Sequence, residues 1–386
     1  MKQNTDYLLH NLNGTPYLLP FGQGIADMRR GVRLNETGAY VWKLLAREIS
    51  EEEIITLCAA HFQADKAELP RLKSDILQFL GKLHLLKILE DDPLQLPPKA
   101  PDLYLRIGGL TLALTGPAGY FSSTLSPFAT AFSEKDPIDQ RIELRPALPP
   151  SHPLGEALLR SDQLIVLKNT DRYILIFPAA ESPLEAWLSF DGSKVILYAA
   201  GSPSQIFVKD IFHALRLCFL YLAQKKCLFA LHSASLLYRK HIWLFSGHSG
   251  AGKSTHTHLW HSFLQVPLIN GDLNLLDCRI PLTPAVHGLP WCGTSEISTP
   301  GTWPLGGIIF LKQAPENHVE QLSPEEGQLA IAQHLISPSW TGTQAVLNLK
   351  AAQDLYPHIL VCRLYCTKET QAVETVRAAI DQWLES

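Results

Sequence analysis

Gly247-His248-Ser249-Gly250-Ala251-Gly252-Lys253-Ser254 decides how the rest of this chain is read. It fits G-x-x-x-x-G-K-[ST] in full. Glycines let backbone N–H groups converge on phosphate oxygens with no Cβ in the way. The run Ile242-Trp243-Leu244-Phe245 before it predicts a strand, and Thr255 to Phe263 predicts a helix. A helix starting at this point aims its positive dipole end at the same phosphate. In this setting Gly247 to Thr255 form the nucleotide cradle, with Lys253 reaching the β- and γ-phosphates and Ser254 holding Mg²⁺. The expected cofactors are therefore ATP and Mg²⁺.

Working outward, Leu268-Ile269-Asn270-Gly271-Asp272 reads as a short apolar strand ending in an acid. Asp272 is the candidate partner acid. It would hold the metal, directly or through water, or take the proton of an acceptor hydroxyl. Asp277 reads as a turn residue. Glu296 is a further candidate metal acid. His232, just before the strand that enters the loop, is a candidate catalytic group. His256, His258 and His261 do not share one helix face and read as solvent or interface histidines. Cys292 reads as a small buried residue, because no base can be assigned to it.

The remainder of the 386 residues divides by pattern. Residues 1–91 show a hairpin signal at Asn13-Gly14, then three helical patterns. Ser50 and Glu53 form a capping box, followed by an apolar face of Ile54, Leu57 and Cys58. The third helix carries Leu72, Ile76, Phe79, Leu80 and Leu83, and a strand is expected over Leu85 to Leu89. Residues 92–101 are proline-rich and read as a linker. Residues 102–386 form the second domain. Its first part, 102–227, is a β-rich lead-in followed by a buried helix, and 228–386 is the nucleotide-binding core.

Composition bounds the partners. Thirty-three Lys and Arg against 37 Asp and Glu give a net charge of −4, which argues against a nucleic-acid binder and against a polybasic membrane arm. The most apolar run, Ile211 to Leu222, is too short to span a bilayer. Seven cysteines without a CxxC spacing read as reduced thiols, and the first residues lack the apolar run of a signal peptide, so a cytoplasmic protein is expected. Low charge, 18%, and 27 prolines are compatible with a homo-oligomer.

Two family resemblances rest on these residues. Leu231-His232-Ser233-Ala234-Ser235, Ser246 to Thr255, Asn270-Gly271-Asp272, Pro290-Trp291-Cys292-Gly293 and Ile308 to Gln313 resemble the catalytic domain of HPr kinase/phosphorylase, related in fold to ATP-dependent phosphoenolpyruvate carboxykinase. That family has a His before the P-loop strand, matched by His232. It has two adjacent acids where this chain has Gly271-Asp272. Tyr17-Leu18-Leu19-Pro20 and Leu34-Asn35-Glu36-Thr37-Gly38-Ala39-Tyr40-Val41-Trp42 resemble the PqqD-like, winged-helix-like domain that recognises leader peptides.

The second resemblance implies capture of a leader as an added β-strand. The groove would be formed by Arg29, Arg30, Gly31, Val32, Arg33 and Leu34 with Leu72, Ile76, Phe79 and Leu83. Together the resemblances imply an α/β P-loop kinase fused to a peptide-recognition domain. Its partners would be a ribosomally made precursor peptide and the other enzymes of the same modification pathway. Lys253, Asp272 and His232 would serve transfer of a phosphoryl group to a Ser or Thr hydroxyl. An alternative is a nucleotide-gated chaperone that delivers the peptide to another enzyme. A carboxykinase-like activity on a small molecule is a third.

Overall fold

The computed structural model describes all residues except 1, 4–5, 23–24, 26–30, 48–50, 66–67, 87, 91–99, 132–136, 150–154 and 386. Arg29, Arg30, Ser50 and nearly all of the proline-rich 92–101 stretch therefore lie outside the described residues. The fold is mixed α/β with two large sheets. The chain divides into two units, Met1–Gln95 and Leu96–Ser386.

In the first unit β1 (Lys2–Gln3) pairs with β5 (Leu89–Glu90). A separate three-stranded sheet has the order β2 (Tyr7–Leu12), β3 (Thr15–Pro20), β4 (Val32–Arg33). The β2–β3 hairpin closes through Asn13 and Gly14, both at positive φ (49° and 83°), as a type I′ turn requires. Helix α1 (Glu36–Leu45) starts where the Asn35 side chain accepts a hydrogen bond from Gly38 N. It is followed by α2 (Glu51–His61) and α3 (Leu69–Leu85). Ile54, Cys58, Ile76, Leu80 and Leu83 join Leu18, Val41, Trp42 and Leu45 in one core.

Three local expectations change. Leu57 turns outward. The closing strand starts only at Leu89, because α3 continues through Leu85. Ile76, Leu83 and Leu34 are consumed by this core. Of the apolar candidates, only Val32, Leu72 and Phe79 stay partly open at the margin of this core.

The second unit begins with an eight-stranded sheet. Its strands in chain order are β6 (Leu103–Ile107), β7 (Leu110–Thr115), β8 (Gln140–Arg145), β9 (Glu156–Arg160), β10 (Ile165–Lys168), β11 (Arg172–Ile176), β12 (Leu184–Ser189) and β13 (Lys194–Ala199). They lie side by side as β6-β7-β8-β13-β12-β11-β10-β9. The sequence pattern does not announce β9, which is almost wholly exposed, or β12, which is nearly all buried and so shows no alternation. Helix α4 (Gln205–Lys225), capped by Ser204, packs Phe207, Ile211, Leu215 and Phe219 into the same core as this sheet.

The second sheet is built on β14 (Leu228–Tyr238), β15 (His241–Ser246), β16 (Leu268–Asn270), β17 (Leu273–Asp277), β18 (Ala285–His287), β19 (Thr302–Gln313), β20 (His318–Gln321) and β21 (Leu360–Cys366). β15, β19 and β21 run parallel. Alternate residues of these strands serve different clusters. Trp243, Phe245, Ile309 and Leu311 pack with α5 (Lys253–Leu264) and α8 (Thr370–Glu385). Ile242, Leu244, Ile308 and Phe310 pack with α6 (Pro324–His334) and α7 (Gly342–Leu355). A parallel sheet covered on both faces reads as continuous apolar runs.

Candidate active site

The site grows from the middle of β14, which lies between β15 and β17. Leu228 to His232 pair with β17, and Ser233 to Tyr238 pair with β15. His232 is thus the last residue opposite β17, and Ser233 lies opposite Ser246, the residue before the glycine loop. Ser246 Oγ donates to His232 O at 2.8 Å, tying the two strands at this point.

The loop itself has the backbone a phosphate cradle needs. Gly247, Gly250 and Gly252 all have positive φ (147°, 80° and 100°). A Cβ on Gly247 would lie 3.0 Å from Ala251 Cβ and 3.2 Å from Leu311 O, so the loop sits directly on β19. Around Gly250 and Gly252 a Cβ would meet nothing within 4 Å, so the loop's outer side is open. Gly252 is the N-cap of α5 and offers no side-chain cap, which leaves the first N–H groups of α5 free of side-chain acceptors. Lys253 Nζ donates to Gly247 O (3.0 Å) and His248 O (3.3 Å), folded back along the loop. Gln313 Nε2 pins Gly250 O at 3.0 Å. Ser254 and Thr255 are exposed at the helix start. Open glycines, uncapped N–H groups and an adjacent lysine fit a nucleoside triphosphate. The hydroxyl of Ser254 and the carboxylate of Asp272 are hard oxygen donors that suit Mg²⁺.

Asp272 sits between β16 and β17. Its position is set by Asn270, which is buried. The Asn270 side chain accepts from Asp272 N and Leu273 N, both at 3.1 Å, and donates to Leu289 O at 2.8 Å. The carboxylate faces His232, with Asp272 Oδ1 3.6 Å from His232 Nδ1. Burial and the neighbouring Lys253 hold His232 below its ordinary pKa, against the pull of Asp272. Burial likewise lowers Lys253, again opposed by Asp272. His232, Asp272, Lys253 and the loop are therefore brought together.

Glu296 is exposed, with φ of 56°, at the end of the 3-10 turn Gly293–Ser295. Cys292 is buried, and burial raises its thiol pKa. Asp277 is not a turn residue. It ends β17, half-buried, bound by Arg279 (2.5 Å) and by His287 Nε2 (2.9 Å). Burial alone would raise it, but these hydrogen bonds prevail and hold it below the carboxylate range. His256 also departs from expectation. It is 2% exposed, accepts from Trp260 Nε1 at 3.2 Å, and burial pushes its pKa down to about 4. His258 and His261 are exposed.

Two polar residues of α4 escape a reading by motif. Burial lowers the pKa of both His213 and Arg216, and the charge of Asp272 acts on both. The helix is steered here by Trp291, which donates to Phe212 O at 2.8 Å and stacks on Phe219 at 5.4 Å. The only sequence signal was a polar pair inside an otherwise apolar run.

Residues 25–89 match the family model described as coenzyme PQQ synthesis protein D, PqqD. Among solved structures, TbiB1 in complex with the TbiA(beta) leader peptide is 24% identical over 23% of this chain and 95% of its own, with a TM-score of 0.20. The Hpr(Ser) kinase/phosphatase from Coxiella burnetii is 11% identical over 39% of this chain and 98% of its own, with a TM-score of 0.24. No curated protein sequence matches the chain. Among the described residues, no helix is long and apolar enough to cross a membrane.

Proposed function

We propose that this protein is an ATP-dependent kinase of a precursor peptide, recruited through its PqqD-type N-terminal unit. The observation that carries the reading is the meeting of the open glycine loop and Lys253 with the Asp272–His232 pair, 3.6 Å apart, beside the middle of β14.

ATP would supply the γ-phosphoryl group, and Mg²⁺, held by Ser254 and Asp272, would neutralise charge between its phosphates. Loop amides and the N-terminus of α5 hold the phosphates in place. Lys253, released from Gly247 O and His248 O, turns to the transferring group and stabilises the charge on its oxygens. An acceptor Ser or Thr hydroxyl forms the new O–P bond as the bond to the β-phosphate oxygen breaks. Its proton passes to the Asp272 carboxylate. His232, neutral at pH 7, orients that carboxylate. The PqqD-type unit, in which β4 is an edge strand among the described residues, raises the local concentration of the acceptor by holding the leader as an added strand.

The test is intact-mass spectrometry of a precursor peptide incubated with the full chain, ATP and Mg²⁺, with Asp272→Asn as control. A gain of one phosphoryl mass, lost in the control, is expected. Tight binding of both peptide and ATP with no mass gain would replace the kinase by a nucleotide-gated peptide carrier.

A further inference from the structure

Helix α4 carries a ridge that the steps above leave unused. Asp210, His213, Arg216, Leu217 and Leu220 recur at intervals of three and four residues and so share one face. That face forms one wall of a 540 Å³ cleft within the second unit. Leu164, Phe177 and Leu184 stand opposite, and Ile336 also borders it.

Arg216 lines this cleft without a hydrogen bond or ion pair to any described residue. Asp272 acts on it through space but does not come within ion-pair distance. Arg216 is partly exposed, and a planar carboxylate is the partner that best matches its forked donors. His213, one turn away on the ridge, has its Nδ1 buried with no hydrogen-bond partner among the described residues. His213 and Arg216, the two polar residues on which the charge of Asp272 acts, thus both line the cleft. Asp210 lies six residues before Arg216, about 9 Å along the helix axis. Its charge makes that end unfavourable for a second acid.

We propose that this cleft receives the acceptor segment of the peptide, with Arg216 pairing a carboxylate beside the reacting hydroxyl and Leu164, Phe177 and Leu217 receiving an adjacent apolar side chain. The proposal rests on the kinase reading, because Asp272 defines the reacting end.

The test uses the full chain and hexapeptides with one central Ser, flanked on one side by Leu and on the other by Glu or Gln. Binding is measured by fluorescence polarisation, and transfer by mass. With the native protein, Glu→Gln in the peptide is expected to weaken binding and raise KM by ~10-fold, with kcat nearly unchanged. In Arg216→Gln the two peptides should bind alike, while ATP affinity stays native. Arg216→Lys should recover part of the preference, which separates lost charge from misfolding.

An equal Glu-over-Gln preference in native protein and Arg216→Gln overturns the cleft assignment, as does absence of hexapeptide binding. Weakened ATP binding in Arg216→Gln also overturns it and would assign Arg216 to the nucleotide. Amidating the peptide C-terminus distinguishes a side-chain carboxylate from a terminal one. Arg216-dependent binding without any transfer would leave the cleft standing and sink the kinase. Transfer without carboxylate preference would do the reverse.

Discussion

Ser295 Oγ stands 1.8 Å from the point where a Cβ on Gly271 would lie. The same 3-10 turn brings Gly293 so close to Asp272 that a Cβ there would be 2.9 Å from Asp272 Cγ. The turn therefore fills the space beside Asp272 that a second, adjacent acid would need. Gly271 is the residue that the turn's approach permits, and Asp272 stands alone for that reason.

Gly271→Ala should therefore destabilise the protein by roughly 1–3 kcal/mol through overpacking. Ser295→Gly removes the obstructing atoms and should restore part of the loss in the double variant. Urea midpoints of the four proteins measure the coupling. Additive effects would mean that the turn moves aside freely.

Lys253→Ala should reduce phosphoryl transfer at least ~100-fold, because the charge on the transferring group loses its nearest cation. Affinity for the precursor peptide should stay native. Parallel transfer assays and peptide titrations check this, and loss of both would point to a damaged fold.

His232 is neutral at pH 7 because burial and Lys253 keep its pKa below 6.5. Transfer should therefore hold steady down to the ordinary histidine range and fall only on the acid side of it. In His232→Gln the acid limb set by this group should vanish. Profiles of kcat/KM against pH for the two proteins decide the matter.

His256 gives a separate stability test. Its folded pKa of about 4 lies below the ordinary 6.5, so the unfolded chain binds the extra proton first. The stability it contributes is complete above pH 6.5 and is lost as the pH falls toward 4, at most roughly 3 kcal/mol. His256→Gln keeps an acceptor for Trp260 Nε1 and should flatten this limb in thermal melts from pH 7 to 4.

Removing residues 1–95 should abolish high-affinity binding of the precursor peptide and leave ATP binding intact, since each unit has its own core. Calorimetric titration of the 96–386 fragment checks it. Undiminished peptide affinity would refute leader capture by the N-terminal unit.

Much was legible from residue order alone, because the relevant physics is local. The glycine loop with its strand and helix, the Asn13-Gly14 hairpin and the apolar face of α3 each depend on neighbours within a turn or two. The match of residues 25–89 to PqqD falls within the stretch whose Leu34-to-Trp42 run resembles that family. What the sequence could not determine was which distant groups would face one another. Asp277 looks like a turn acid until β18 delivers His287 to it. His256 looks like a surface histidine until Phe245 and Trp260 close around it. Arg216 and His213 acquire meaning only when Trp291, about eighty residues onward, fixes α4 beside Asp272. Burial and through-space charge depend on contacts between segments far apart in the chain, and only the folded structure creates those contacts.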